Sequence, residues 1–246
     1  MHARVRSTTW LTPSMVRVVL GGGDLDGFVM PGGDAPHTDA YLNVAIEEAR
    51  RRYTVRAWDE EAGELAVDFV VHGDDGVAGP WAKRAQPGDV LEFQGPGSGY
   101  RPDPDADWHL MVGDESALPA IAASLEAVPE GVPVVVRLLC DGPDHEIPLT
   151  TPGNLDLRWL HRTGDDTDVD LLVDAVRTLG FPEGQVHAFV HGEAEEIRAI
   201  RRHLLAERGL SRADMSCSPY WRRTMTDEAW RQVKRDFVAA MEADVA

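Results

Sequence analysis

The stretch Leu110-Met111-Val112-Gly113-Asp114-Glu115-Ser116-Ala117-Leu118-Pro119-Ala120-Ile121 decides the architecture of the chain. Residues 110–113 read as a short strand. An apolar stripe of helical period follows over 116–127, with Leu118, Ile121, Ala122 and Leu125 on one face. Ser116 is placed to cap that helix, and Pro119 falls in its first turn, where a missing N–H costs little. The rhythm repeats downstream. Residues 132–139 form a nearly unbroken apolar run, as expected of a strand covered on both faces. Strand patterns at 155–160, 186–190 and 214–220 alternate with helix patterns at 168–179, 193–208 and 226–241. Glu193, Glu195 and Glu196 open the 193–208 helix, and Arg208-Gly209 closes it, in keeping with the helix dipole and a glycine C-cap. Alternation of this kind predicts an open, mostly parallel α/β sheet with helices on both faces.

Upstream the pattern changes. Segments 14–20, 40–46, 53–58 and 64–71 are short and rich in β-branched or aromatic residues, and Leu65, Val67, Phe69 and Val71 alternate with their neighbours. Turn sequences separate them: Gly21-Gly22-Gly23-Asp24, Pro31-Gly32-Gly33-Asp34 and Pro87-Gly88-Asp89. This spacing predicts an antiparallel barrel or sandwich, interrupted by a short helix near 78–85. The glycine- and proline-rich run over 94–105 marks the boundary, so the expected domains are 1–105 and 106–246.

Composition sets the outer limits. The chain has 246 residues, 43% apolar and 27% charged, which excludes disorder, collagen-like repeats and a disulfide scaffold. The formal net charge is −18 at pH 7, a poor match to nucleic acid or to a polybasic membrane anchor. No apolar run approaches the ~20 residues of a membrane span. The first residues, Met1-His2-Ala3-Arg4-Val5-Arg6, lack a signal-peptide core, and two isolated cysteines, Cys140 and Cys217, fit a reducing cytoplasm.

Three constellations could carry chemistry. Arg51-Arg52-Tyr53-Thr54-Val55-Arg56 joins a guanidinium suited to phosphate with an aromatic ring suited to a flat heterocycle. The same residues also read as a solvated arginine edge around a core tyrosine. Asp68, Val70, His72, Gly73, Gly76, Ala78, Gly79 and Trp81 lie on a strand, a glycine-rich loop and the start of a short helix. Free N–H groups there suit a pyrophosphate, although glycine loops without a ligand are common. Gly113, Asp114, Glu115, Ala117 and Pro119, then Gly192-Glu193, then Tyr220-Trp221-Arg222-Arg223, follow strands of the α/β sheet, where such sheets bind ligands. His72, His145, His161 and His191 are isolated and read as structural.

In order along the chain, Arg51-x-Tyr53-Thr54-x-Arg56, Asp68-x-Val70-x-His72-Gly73, Trp81-Ala82, Gln86-Pro87-Gly88-Asp89, the 113–121 turn, Trp159-Leu160-His161-Arg162, Gly192-Glu193 and Tyr220-Trp221-Arg222-Arg223 resemble the siderophore-interacting protein family. This family comprises FAD-dependent ferric-siderophore reductases of the ferredoxin reductase-like superfamily. The chain departs from its pattern at Gly79, where many relatives carry serine, and at Pro219, where a glycine is common. The resemblance implies a split β-barrel that binds FAD, followed by a pyridine-nucleotide-type domain. It implies FAD contacts from Arg51, Tyr53, Thr54, Val55 and Arg56, from the 68–81 residues above, and from Asp114, Glu115, Ala117, Tyr220, Trp221 and Arg222. It leaves Gly113, Pro119, Gly192 and Glu193 for NADH or NADPH, and Arg50, Arg52 and Arg223, with Arg101 and Lys83 as further cations, for an anionic ferric siderophore. No metal ligands and no acid–base triad are expected. Ferredoxin as donor, a ferredoxin or flavin reductase activity, and a non-catalytic flavin- or chelate-binding module are the competing readings.

Overall fold

The computed structural model describes residues 1–73 and 76–245, so Asp74 and Asp75 of the glycine loop lie outside the described residues. Six antiparallel strands close a barrel: β1 (His2–Thr12), β2 (Met15–Gly21), β3 (Tyr41–Ile46), β4 (Ala49–Asp59), β5 (Glu64–Val70) and β6 (Val90–Gly97). Their order is β1-β2-β5-β4-β3-β6, with β1 paired back onto β6. Alternate residues fill the interior, among them Val16, Val18 and Leu20 of β2, Leu42, Val44 and Ile46 of β3, and Leu65, Val67 and Phe69 of β5. Helix α1 (Ala78–Arg84) lies beside the end of β5. Gly79 packs so closely there that a Cβ would stand 3.3 Å from the Val70 carbonyl oxygen. The glycine is therefore a packing residue of α1, whatever else it contacts.

Five parallel strands follow in the order β11-β10-β7-β8-β9. They are β7 (Trp108–Asp114), β8 (Pro133–Cys140), β9 (Asn154–His161), β10 (Val186–Glu193) and β11 (Met215–Trp221). Helix α2 (Leu118–Glu126) packs on one face, and α3 (Asp168–Arg177) and α4 (Ala194–Ala206) on the other. Helix α5 (Asp227–Ala243) packs through Trp230, Phe237 and Met241 against Ala194. From β7 the chain builds outward through β8 and β9, then returns to add β10 and β11 on the other side. The order reverses between β7 and β10, and the crevice that opens beyond strand ends at such a switch point is where these sheets collect ligands.

Three local expectations change. Neither β1 nor β6 stands out as a strand in the sequence. Each carries only two buried apolar residues at alternate positions before the pattern stops: Ala3 and Val5 in β1, whose 6–10 stretch faces solvent, and Leu91 and Phe93 in β6, which ends in Gly95-Pro96-Gly97. Ser116 does not cap α2. The helix starts at Leu118, and the Ser116 hydroxyl instead donates to Asp114 Oδ1 at 2.5 Å. Glu193, expected inside the first turn of α4, is its N-cap and accepts the Glu195 and Glu196 amides.

The switch point depends on a glycine. A Cβ at Gly113 would stand 2.6 Å from Ala117 Cβ and 2.7 Å from the His191 carbonyl oxygen. Gly113→Ala is expected to lower unfolding stability by about 1–3 kcal/mol through overpacking. Gly27→Ala, at a site with nothing within 4 Å, should stay within about 0.5 kcal/mol of the parent in the same urea titration.

Candidate functional site

The barrel parts locally where the sequence singles out Arg51-Tyr53-Thr54. β4 pairs with β5 from Val55–Val67 outward to Asp59–Glu64, with a bulge between Val55 and Ala57. Toward the other end, 51–54 stay on β3 while 68–70 stay on β2, and the two strand edges separate. Backbone N–H and C=O groups along such a parting are available to the edge of a bound ring. Tyr53 stands in an aromatic wall, 4.3 Å between centroids from Phe69, which is 5.4 Å from Trp81. Gly73 and Gly76 take left-handed backbone angles, φ 61° and 77°, with open space where a Cβ would be. A cationic side chain, an aromatic wall, a free strand edge and glycines open to close approach together fit a flavin dinucleotide.

Several motif residues have protein partners of their own. Asp68 is buried and paired with Arg17 at 2.7 Å across β2–β5, which places it in the barrel wall. Arg51 is held by Asp227 at 3.0 Å and Glu228 at 2.5 Å, both in the first turn of α5. Arg56 reaches α2 and pairs with Glu126. Thr54 is buried, Val70 is half-buried and His72 is exposed. Strand alternation turns Arg50 and Arg52 outward, opposite Arg51 and Tyr53. Arg52 covers the Tyr41 ring at 5.1 Å, and Arg231 of α5 donates to the Arg50 carbonyl oxygen at 3.1 Å. Lys234, one helical turn on, is held below its usual pKa by burial and by the nearby Arg52, against the pull of Asp227. Arg231 and Lys234 were not singled out in the sequence, because nothing local indicates that α5 crosses to β4.

The other motif residues converge at the switch point. Asp114 is buried and accepts from the Ser116 amide at 2.8 Å and from Trp221 Nε1 at 2.7 Å. Gly192, with φ 149°, lies flat against it, since a Cβ there would meet Asp114 Oδ2 at 2.9 Å. Glu115 is paired at both oxygens with Arg162, which also holds Asp141. Ala117 and Pro119 are buried in the turn. Glu193 caps α4 with one oxygen and accepts the Arg223 amide with the other at 3.0 Å. Arg222 pairs with Glu195 at 2.7 Å, and Arg223 with the buried Glu196 at 2.5 Å. Tyr220 packs 4.8 Å from the His191 ring, and burial raises its pKa. His191 is buried and donor to or acceptor from Ser216, a structural role. Among the described residues, no group of three or more His, Cys, Asp and Glu is arranged to hold a metal ion.

A closed barrel that parts along one strand edge, followed by a parallel sheet with a switch point between β7 and β10, defines the flavoprotein class of the ferredoxin reductase-like superfamily. The family assignment is narrower. Residues 35–100 match the siderophore-interacting FAD-binding domain, and 106–224 match the siderophore-interacting protein model. The chain belongs to the siderophore-interacting protein family. It is 34% identical to the ferric vibriobactin reductase ViuB of Vibrio cholerae, over 91% of this chain and 89% of that one. It is 32% identical to the NADPH-dependent ferric-chelate reductase of Escherichia coli, over 78% of this chain and 81% of that one. The crystal structure of the siderophore-interacting protein SipS from Aeromonas hydrophila superposes with a TM-score of 0.84 at 28% identity, covering 97% of this chain and 98% of that one. The fold is an FAD-binding one, consistent with flavin-mediated electron transfer.

Glu196 escaped the sequence reading, because a glutamate in a first helical turn looks like dipole compensation. In the structure it is buried, with one oxygen on Arg223 and the other without a partner among the described residues. Burial, then the proximity of Asp114, raises its pKa from 4.5 to about 7. The folded state therefore binds this proton more tightly than the unfolded chain. That stabilisation is complete below pH 4.5 and lost as pH rises through about 7. Glu196→Gln should match the parent near pH 4.5 and exceed its stability at pH 8 by about 1–3 kcal/mol, read from urea midpoints at both values.

Proposed function

We propose that the protein reduces ferric siderophores, with electrons passing from NADH or NADPH through FAD. The observation that carries this reading is the parting of β4 from β5. It sets Arg51, Tyr53 and Thr54 at an open strand edge, while Arg50 and Arg52 face outward on the same strand. When bound, FAD supplies the conversion of a two-electron hydride donor into single electrons for Fe(III). The overall balance is one NAD(P)H and two Fe(III) giving NAD(P)⁺, one H⁺ and two Fe(II). Reduction weakens the grip of hard oxygen donors on iron and so releases it. The names of the Vibrio cholerae and Escherichia coli relatives support the substrate class and a dinucleotide donor.

The residues divide the work. The Arg51 guanidinium exchanges the carboxylates of Asp227 and Glu228 for phosphate oxygens, and Tyr53 with Trp81 supplies the apolar wall beside the ring. Gly73 and Gly76 let the backbone approach the pyrophosphate. The 113–119 turn, Gly192 and Tyr220 shape the donor side. Arg50 and Arg52, reinforced by Arg231 and Lys234, attract the ferric complex. Arg223, an expected chelate contact, is tied to Glu196, so the outward face of β4 and α5 carries more of the accessible positive field.

The purified protein reconstituted with FAD should show an oxidised flavin spectrum that anaerobic NADH or NADPH bleaches. Subsequent ferric siderophore should restore it, with Fe(II) appearing in a ferrous trap. No bleaching by either dinucleotide would remove the donor assignment. No Fe(II) would remove the substrate assignment. Arg51→Ala should weaken FAD binding by about 1.5–3 kcal/mol, the worth of a charged hydrogen bond, as read by fluorescence titration.

Charge removal at Arg50 and Arg52 together should slow second-order reduction of an anionic ferric chelate and leave flavin reduction by dinucleotide unchanged. The loss should shrink as salt is raised, because steering is screened over ~10 Å. An equal loss with a neutral ferric chelate would show that these arginines do not steer substrate.

A further inference from the structure

One arginine ties together three strand ends of the parallel sheet. Arg162, just beyond β9, gives both terminal nitrogens to Glu115 beyond β7, at 2.5 and 2.9 Å. One of them also donates to Asp141 Oδ1 beyond β8, at 2.9 Å. The three ends lie level, since Asp114 pairs with Leu139 and Cys140 with His161. The Glu115 side chain is 6% exposed, so withdrawing Arg162 would leave a buried carboxylate unpaired. Asp141 is the open member of the triplet. Its side chain is 48% exposed, and its Oδ2 has no partner among the described residues. The surroundings have the same sign. Residues 141–168 hold seven aspartates and glutamates against two arginines, Arg158 and Arg162, and no lysine. Arg158 lies three residues before the end of β9, on the order of 10 Å back along the strand. Both histidines of this stretch are engaged, His161 with Glu146 at 2.8 Å and His145 with Ser14 at 2.7 Å.

We propose that Asp141 makes the protein select NADH over NADPH, by accepting the 2′-hydroxyl of the adenosine ribose and repelling a 2′-phosphate. The inference rests on the dinucleotide reading above and supplies the selectivity that reading left open. In open α/β sheets a dinucleotide sets its pyrophosphate at the first strand-to-helix turn, and a residue beyond the neighbouring strand meets the ribose. Here the first such turn is 113–119, after β7, and the residue beyond the neighbouring strand β8 is Asp141. A solvent-facing carboxylate oxygen without a partner can accept a ribose hydroxyl and cannot donate to a phosphate. A 2′-phosphate would need a cation, best of all an arginine fork. The guanidinium at hand is that of Arg162, and its terminal nitrogens are already divided between Glu115 and Asp141. Taking it would strand the buried Glu115 and bring the phosphate against Asp141. The rim therefore favours the neutral ribose through one contact and opposes the charged one through both.

The full-length protein, reconstituted with FAD, is titrated calorimetrically with NAD⁺ and with NADP⁺. Saturation of anaerobic flavin bleaching by NADH and by NADPH gives the same comparison for the reduced forms. The form without the 2′-phosphate should bind about tenfold or more tightly, the scale of a like-charge contact. The gap should narrow as salt is raised, because the repulsion is screened. Asp141→Asn removes the charge and keeps an oxygen for Arg162. It should weaken binding of the form without the phosphate and strengthen binding of the form with it. Movement in opposite directions separates selection from a merely structural role, which would weaken both. Asp141→Ser removes the same charge with a smaller side chain and serves if the asparagine variant does not fold. Equal or tighter binding of the 2′-phosphorylated form by the parent overturns the inference and leaves the donor reading intact. So does a preference that neither variant shifts, or parallel weakening of both forms. If neither dinucleotide binds and neither reduced form bleaches the flavin, the donor reading fails and the inference falls with it.

Discussion

The Asp114 carboxylate joins three strand ends that are far apart in sequence. It closes the turn after β7 by accepting from the Ser116 amide, accepts from Trp221 Nε1 at the end of β11, and packs against Gly192 at the end of β10. Without a side chain at 192, the carboxylate and the returning strand can touch. Without one at 113, the turn can fold onto Ala117. The switch-point crevice therefore has a rigid floor before any ligand arrives. The arrangement also concentrates negative charge, since Glu193, Glu195 and Glu196 all fall within four residues after Gly192. Burial and the neighbouring Asp114 raise the Glu196 pKa to about 7, against the opposing pull of its partner Arg223.

The barrel solves a different problem with the same economy of residues. A strand paired on both sides has no free backbone hydrogen-bonding groups, so a sheet that is to hold a heterocycle must open somewhere. β4 leaves β5 at the bulge near Arg56 while keeping its pairing with β3, so one edge is freed without loss of closure. Period-two alternation then separates roles along four residues: Arg51 and Tyr53 to one side, Arg50 and Arg52 to the other. The bulge falls at Arg56, whose side chain pairs with Glu126 of α2.

Much of this was legible in the sequence. The strand-turn-helix of 110–121, the apolar run of β8 and the glutamates opening α4 were each readable because a local pattern matched a local structure. The barrel interior of β2, β3 and β5 was equally plain. β1 and β6 were not, since each shows only one short apolar alternation, Ala3 with Val5 and Leu91 with Phe93, too brief to mark a strand. For the candidate site, the sequence supplied the segments but not their partners in the fold. Asp68 answers Arg17 across a strand pair, Arg51 answers a helix about 175 residues downstream, and Arg231 and Lys234 meet β4 through tertiary packing alone. Sequence spacing states which residue types a segment brings, but pairing across domains is set by how the two cores dock.

That docking bears on the apparent conflict between a net charge of −18 and the anionic substrate proposed above. At the switch point each arginine already has a carboxylate: Arg162 has Glu115 and Asp141, Arg222 has Glu195, and Arg223 has Glu196. Such pairs cancel at a distance and contribute little long-range attraction. On the outer face of β4 the balance differs. Arg50 and Arg52 meet Arg231 and Lys234 from α5, and the acidic residues at hand, Asp227 and Glu228, are directed to Arg51. Burial, and after it the nearby Arg52, holds the Lys234 pKa below its usual value, while Asp227 opposes the shift. A local field of that kind can capture an anion that the molecule as a whole repels, because within about a Debye length the nearest charges outweigh the distant surplus. The fold thus gathers Arg50, Arg52, Arg231 and Lys234 along the outer face of β4 and pairs Arg162, Arg222 and Arg223 with carboxylates at the switch point.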